Sequence, residues 1–153
     1  MWNRHYHIID DDIANTQIKD TFDFISCISV LGHIPNFNDA INNMFKLLNP
    51  NGHLVLIFPY NERTYIPNVY EFPGVGPGQD APYICQVFSR SELDNWLNTN
   101  HGTIIEQEYW QVWEGEFWKF GKQVLPPRQV NRDDPHQLSC ILIQKEQEVS
   151  YHR

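Results

Sequence analysis

Two apolar stretches separated by one amphipathic repeat constrain this chain more than any other feature. Phe22-Asp-Phe-Ile-Ser-Cys-Ile-Ser-Val-Leu31 is rich in β-branched and aromatic residues, and His53-Leu-Val-Leu-Ile-Phe58 is nearly continuous in apolar character. Unbroken hydrophobicity over so few residues predicts strands covered on both faces, as in a parallel sheet. Between them Phe37, Ile41, Met44, Phe45 and Leu48 recur at helical spacing, with Asn36 or Asn38 as a cap. Asn49-Pro50-Asn51-Gly52 then stops the helix and turns the chain. Strand, helix and strand with short joints make a βαβ unit, whose crossover is right-handed. An antiparallel barrel or sandwich does not accommodate it.

The later elements are marked less strongly. Ser89-Arg-Ser-Glu92 has the form of a capping box, followed by an apolar stripe of Leu93, Trp96 and Leu97 and a stop at Asn100-His101-Gly102. Thr103 to Trp113 and Leu138 to Ile143 read as strands. Pro126-Pro127 and Asp133-Asp134-Pro135 lie between those two stretches, so the intervening residues are expected to form an excursion rather than a tight hairpin. Residues 1–145 are expected to form one domain, with 146–153 a polar, frayed tail.

Charge and cysteine usage narrow the function classes. Nineteen acids against eleven bases give a net charge of −8 over 153 residues. That balance argues against nucleic-acid and anionic-membrane binding, both of which need a basic face. The longest apolar run, Leu54 to Phe58, is too short to span a bilayer, and the opening Met-Trp-Asn-Arg-His-Tyr-His has no signal-peptide core. Cys27, Cys85 and Cys140 are odd in number and lack a Cys-x-x-Cys pair, which fits a reducing, cytoplasmic compartment.

Five pieces in order carry a resemblance: Asp12-Ile13; Phe22-Asp23-Phe24-Ile25; Val30-Leu31-Gly32-His33-Ile34; Leu47-Leu48-Asn49-Pro50-Asn51-Gly52; and Leu54-Val-Leu-Ile-Phe-Pro59. Together they resemble the C-terminal part of a class I S-adenosylmethionine-dependent methyltransferase of the small-molecule type. The likeness covers about residues 8 to 60, and the later helix and strands match the family only in order. Asn51 replaces the first glycine of the family's Pro-Gly-Gly turn, an exchange that asparagine's tolerance of positive φ permits. The family's first strand and glycine-rich cofactor loop would precede Asp12 by two βα units. Only eleven residues do so here, where such units need roughly 50 to 70. The resemblance therefore implies an α/β fold with an incomplete Rossmann-like sheet of about four main strands, in the family's order 4-5-7-6, flanked by helices. The strand Phe22–Val30 is expected to have an open edge, completed by a second copy of the chain or by Ile8-Ile9.

The resemblance also implies an activity: transfer of a methyl group from S-adenosylmethionine to a small-molecule acceptor. The alternative is a non-catalytic remnant retained for self-association or regulation. Asp12 would accept from the adenine amino group, Ile13 would support the ring, and Ser26, Cys27 and Ile28 would flank the cofactor. His33 stands just past a parallel strand, where open α/β sheets place their crevices, and can act as a general base or fix its turn through the backbone. Tyr60 and Asn61, with Glu62 and Arg63, follow the next strand and are expected to face substrate. Asp10-Asp11-Asp12 with His5 and His7 match no metal-site spacing and read as a solvated chain start, so no metal is expected. Pro73-Gly74-Val75-Gly76-Pro77-Gly78 lacks the ending of a phosphate loop and reads as a lid. The aromatic cluster Tyr109, Trp110, Trp113, Phe117, Trp118 and Phe120 lines a core, an apolar pocket or a dimer contact.

Overall fold

The computed structural model describes residues 5–73, 75 and 80–147. Five strands form one mixed sheet: β1 (Phe22–Ile28), β2 (Leu48–Pro59), β3 (Gly102–Trp113), β4 (Gln123–Val130) and β5 (Leu138–Lys145). Two helices of eleven residues join them, α1 (Phe37–Leu47) between β1 and β2, and α2 (Arg90–Asn100) before β3. The spatial order is β1-β2-β5-β3-β4. β1 runs parallel to β2, and every other neighbouring pair is antiparallel. The expected order 4-5-7-6 is present as β1-β2-β5-β3, extended by one strand.

That extra strand corrects the expectation of an excursion after Trp113. β4 pairs with β3 through Tyr109–Val130, Trp110–Gln129, Gln111–Arg128 and Trp113–Gln123, with an irregularity between Gln111 and Trp113. Pro126 and Pro127 fall inside the irregular stretch on an outer strand, where a missing amide donor costs the ladder nothing.

The turn into β2 divides its work between two residues. Asn51 takes the left-handed conformation, at φ 62°. At Gly52 a Cβ would come within 2.8 Å of the Asn49 carbonyl oxygen and 3.2 Å of that of Asp23. Asn51 thus supplies the backbone angle while Gly52 allows the close approach of β1, which is why one glycine suffices.

One face of the sheet carries the core. Leu54, Leu56 and Phe58 of β2 and Ile141 and Ile143 of β5 meet Ile41, Met44 and Phe45 of α1 and Leu93 and Trp96 of α2. The Trp96 indole donates to Asn38 Oδ1 at 2.9 Å, and Asn100 donates to Asn42 at 2.9 Å, tying the two helices together. At the start of α2 the Glu92 carboxylate accepts from the Ser89 amide at 2.9 Å and from the Ser89 hydroxyl, so the predicted capping box forms.

Burial on both faces, expected for the two apolar strands, occurs on one face only. Both helices pack on the Leu54–Leu56–Phe58 side. Phe24 is left 58% exposed and Ile28 53% exposed on β1, while Val55 and Ile57 are half-buried on β2. Among the described residues β1 pairs only with β2, so they leave its other edge open. Ile8 and Ile9 do not fill it: they are 89% and 60% exposed and belong to no strand. Glu146 is held to the domain, its amide donating to the His101 carbonyl and its carboxylate accepting from the Thr103 hydroxyl, and the rest of the expected tail from residue 148 on lies outside the described residues.

Candidate active site

The parallel pair fixes where chemistry can occur. In an open α/β sheet the crevice lies beyond the carboxyl ends of parallel strands, here after Ile28 and Pro59. At the end of β1 the backbone turns at Ser29 (φ 57°) into a single 3-10 turn, Leu31–His33. The connection between β2 and α2 folds over this end as a second apolar cluster of Ile66, Val69, Tyr70, Val75, Cys85 and Val87, onto which Phe117, Trp118 and Phe120 pack. The buried Gln86 clamps the two together, donating from Nε2 to the Ile34 carbonyl at 2.8 Å and accepting from the Tyr65 hydroxyl at 2.6 Å. Its amide also donates to the Gly32 carbonyl at 2.8 Å.

A cavity of about 170 Å³ opens between these layers, lined by His33, Pro59, Tyr70, Tyr83, Trp118 and Lys119 among others. His33 Nδ1 lies 2.7 Å from the Ile84 carbonyl oxygen. A carbonyl only accepts, so Nδ1 carries the proton and the lone pair of the neutral ring sits on Nε2. The Tyr83 ring meets His33 edge-on at 4.8 Å and 73°. Of the two alternatives read from the sequence, the backbone anchor is present, and it is made through Nδ1.

A second, larger cavity of about 620 Å³ lies at the same end, lined by Asn61, Glu62, Arg63, the turn after β3 and the loop before β5. Its wall is organised by Glu62. That carboxylate accepts from the Tyr60 hydroxyl at 3.0 Å, from Arg90 Nε and Nη2 at 3.2 Å each, and from Arg132 Nη2 at 3.1 Å. Arg90 also donates to Gln107 at 3.0 Å and to the Tyr109 hydroxyl at 3.1 Å. Burial by itself would raise the Glu62 pKa, but the Arg90 bonds and charge, the Tyr60 hydroxyl and Arg132 outweigh it and hold the carboxyl below its ordinary value. On Tyr60 burial raises the pKa too and there it prevails, so the phenol is pushed well above the usual range and stays neutral.

The residues singled out from sequence take varied positions. Tyr60 is fully buried in the core, with only its hydroxyl engaged by Glu62. Asn61 lines the larger cavity, but its side chain is spent on its own turn, donating to the Thr64 carbonyl and accepting from the Arg63 and Thr64 amides. Ser26 and Ile28 are exposed and Cys27 half-buried on β1, and burial raises the Cys27 thiol, which makes it a poor nucleophile. Asp12 is exposed and caps the Ile13–Asn15 turn, one carboxylate oxygen accepting from the Ala14 amide at 3.0 Å. Ile13 packs against the core. Asp11 is likewise engaged, accepting from the Gln17 amide at 2.9 Å. Apart from Pro73 and Val75, the Pro73–Gly78 loop lies outside the described residues. Of the aromatic cluster, Trp118 reaches the smaller cavity, Phe117 the larger one, and Tyr109 stacks into the core beside His136 at 4.8 Å. Tyr70, Tyr83, Lys119, Arg90 and Arg132 carried no sequence signal. They come from non-periodic connections, a turn and a helix start, and only the folded chain brings them to one end of the sheet.

Comparison with known proteins identifies the family to which this fold belongs. A family model described as "Methyltransferase domain" matches residues 3–107. No curated protein matches the chain. Among solved structures, a S-adenosylmethionine-dependent methyltransferase from Thermotoga maritima superposes over 92% of this chain, with a TM-score of 0.59 and 16% identity. One from Methanosarcina mazei does so over 90%, at 0.56 and 18%. The 1,6-didemethyltoxoflavin-N1-methyltransferase of Burkholderia thailandensis, solved with its substrate and S-adenosylhomocysteine, matches over 88%, at 0.53 and 13%. This chain spans 64%, 66% and 48% of their respective lengths. At such identities the likeness is one of fold: a Rossmann-like α/β sheet. The family match covers more than half of the sequence, and by it this chain belongs to the methyltransferase domain family.

Proposed function

We propose that the chain takes part in S-adenosylmethionine-dependent methylation of a small-molecule acceptor, contributing the acceptor side of the active site. The observation that carries this reading is the cavity at the ends of β1 and β2, into whose wall His33 is set with its Nε2 lone pair unspent. His33 then receives the acceptor's proton, and Pro59, Tyr70, Tyr83 and Trp118 hold the acceptor in line.

The residues fit one flank of the cofactor. The exposed Asp12 carboxylate has a second oxygen with which to accept from an adenine amino group, and Ile13 offers an apolar support beside it. Ser26, Cys27 and Ile28 would border the cofactor at the end of β1. When bound, S-adenosylmethionine supplies an activated methyl group on a sulfonium. The described residues supply this one flank, and the other is outside them. The open edge of β1, with Phe24 and Ile28 exposed beside it, supports pairing with a second copy of the chain. The same feature favours a second reading, a non-catalytic remnant retained for self-association. A cytoplasmic setting fits the three unpaired thiols.

Calorimetric titration of the chain with S-adenosylhomocysteine separates these readings. Submillimolar binding, with label appearing on an acceptor when labelled S-adenosylmethionine is supplied, is the expected result. No heat at high protein concentration would leave only the remnant.

A further inference from the structure

We propose that the smaller cavity is a slot for one planar ring bearing an ionisable O–H or N–H, which His33 deprotonates. The inference rests on the methyl-transfer reading for its purpose and names the acceptor class that this site takes. Three observations carry it.

The first is size and wall chemistry. A volume of about 170 Å³ matches what one six-membered ring needs, since an apolar cavity of about 150 Å³ holds benzene. The wall is aromatic on several sides: Tyr83 stands edge-on to His33, and Tyr70 meets Tyr83 at 6.3 Å and 67°. Trp118 is also in the lining, beside Pro59. Rings arranged this way present both faces and edges to a further ring, and such contacts add to plain burial.

The second observation is the charge around the slot. Among the described residues its titratable lining groups are His33, Tyr70, Tyr83, Cys85 and Lys119, with no carboxylate. The Lys119 ammonium sits 4.8 Å from the centre of the Tyr70 ring. The neighbouring large cavity is richer in acid, with Glu62, Glu114, Glu116, Asp133 and Asp134 against Arg63 and Arg132 in its wall. The balance of charge therefore favours an anion in the smaller cavity over the larger.

The third is the fixed tautomer. With Nδ1–H bonded to the Ile84 carbonyl, a proton arriving on Nε2 produces an imidazolium still held by that carbonyl. The acceptor's O–H or N–H bond breaks, its electron pair stays on the ring heteroatom, and the proton moves to Nε2. His33 is exposed and passes it to water. The resulting phenolate or azolate is the nucleophile, and no oxidant or reductant is involved.

The test uses 4-nitrophenol, whose anion absorbs in the visible, and 4-nitroanisole, which has the same ring but no proton to lose. The full chain is titrated into each probe in buffer about one unit below the phenol's own pKa. Expected is binding of both, with the phenolate band rising about fivefold, the effect of a fall of roughly one unit in the probe's pKa beside a cation. Lys119→Met and His33→Gln should each remove at least half of that rise while 4-nitroanisole still binds. Tyr83→Leu, at a half-exposed position that the fold tolerates, should weaken both probes by about fivefold to tenfold. Unaltered far-ultraviolet circular dichroism shows that each variant is folded. An unchanged band with the chain in excess, or a rise undiminished in both His33→Gln and Lys119→Met, overturns the proposal. If S-adenosylhomocysteine binds while the probes do not, this inference alone fails. If the probes behave as expected but no methyl transfer is found, the ring slot stands and the methyl-transfer reading fails.

Discussion

Replacing Glu62 by Gln removes one charge and almost no volume, so its effect isolates the polar wall of the larger cavity. In the native chain Oε1 accepts from Tyr60 and Arg90, and Oε2 accepts from Arg90 and Arg132. Glutamine has one acceptor oxygen and one NH2 group, so either orientation points a donor at two donors. The Arg132 bond contributes little, because that side chain is 59% exposed. Arg90 and Glu62 are only 21% and 20% exposed, and the guanidinium keeps its charge after losing its partner. Hydrogen bonds to charged groups are worth about 1.5–3 kcal/mol each when buried, and partial solvent screening discounts them, so a loss of about 2–3 kcal/mol is expected overall. Urea unfolding followed by tryptophan emission reads this as a lower midpoint at an unchanged slope. The acid limb supplies a second reading. Glu62 titrates below its ordinary value of 4.5 in the folded chain. Its contribution is therefore complete above that value and lost as pH falls through the depressed folded pKa. The gap between native and Glu62→Gln chains should close over that acid range. A loss below about 0.5 kcal/mol at neutral pH, the usual scatter of surface substitutions, would refute the reasoning.

Other substitutions probe other elements. Gly102→Ala places a methyl 2.8 Å from Phe45 Cζ and 3.1 Å from Ile143 Cγ2, and the overpacking should cost about 1–3 kcal/mol in thermal or urea unfolding. At Asn51, held at φ 62°, Val should cost about 1–2 kcal/mol more than Gly, since a branched side chain resists the left-handed region. Glu92→Ala removes the acceptor that caps α2 and should lower stability by about 1 kcal/mol without altering probe binding in the smaller cavity. Phe24→Lys and Ile28→Lys together should reduce any concentration-dependent light scattering, and unchanged scattering in the double variant would argue against pairing through β1.

The backbone of this fold was legible where local chemistry is strong. The βαβ unit, its Asn51–Gly52 turn and the Ser89–Glu92 cap each depend on neighbours within a few residues, so their pattern survives in one dimension. β4 escaped detection because Pro126 and Pro127 argue against a strand unless it is known to lie on an outer edge, which is a tertiary fact. The exposure of Phe24 and Ile28 escaped for a related reason: apolar character marks what a strand would bury, not whether a layer is there to cover it. His33 could be singled out by its place after a strand, but the partner that fixes its tautomer, Ile84, is 51 residues away. Tyr60 shows the opposite error, a position correctly placed after β2 whose ring turns inward. The Arg90–Glu62–Arg132 wall joins a helix, a turn and a loop, and no spacing rule links them.

The position of β5 has a consequence for how the polypeptide is made. β5, which follows β2 and β3 in the chain, lies between them, with Leu54 paired to Ile143 and Ile104 to the same residue from the other side. Until residue 145 has left the ribosome, β2 and β3 each await their shared neighbour, and the two halves of the sheet cannot lock. Such distant pairing slows folding and prolongs the life of sticky intermediates. A nascent chain arrested before Leu138 would therefore be a client for chaperones rather than a smaller version of the domain.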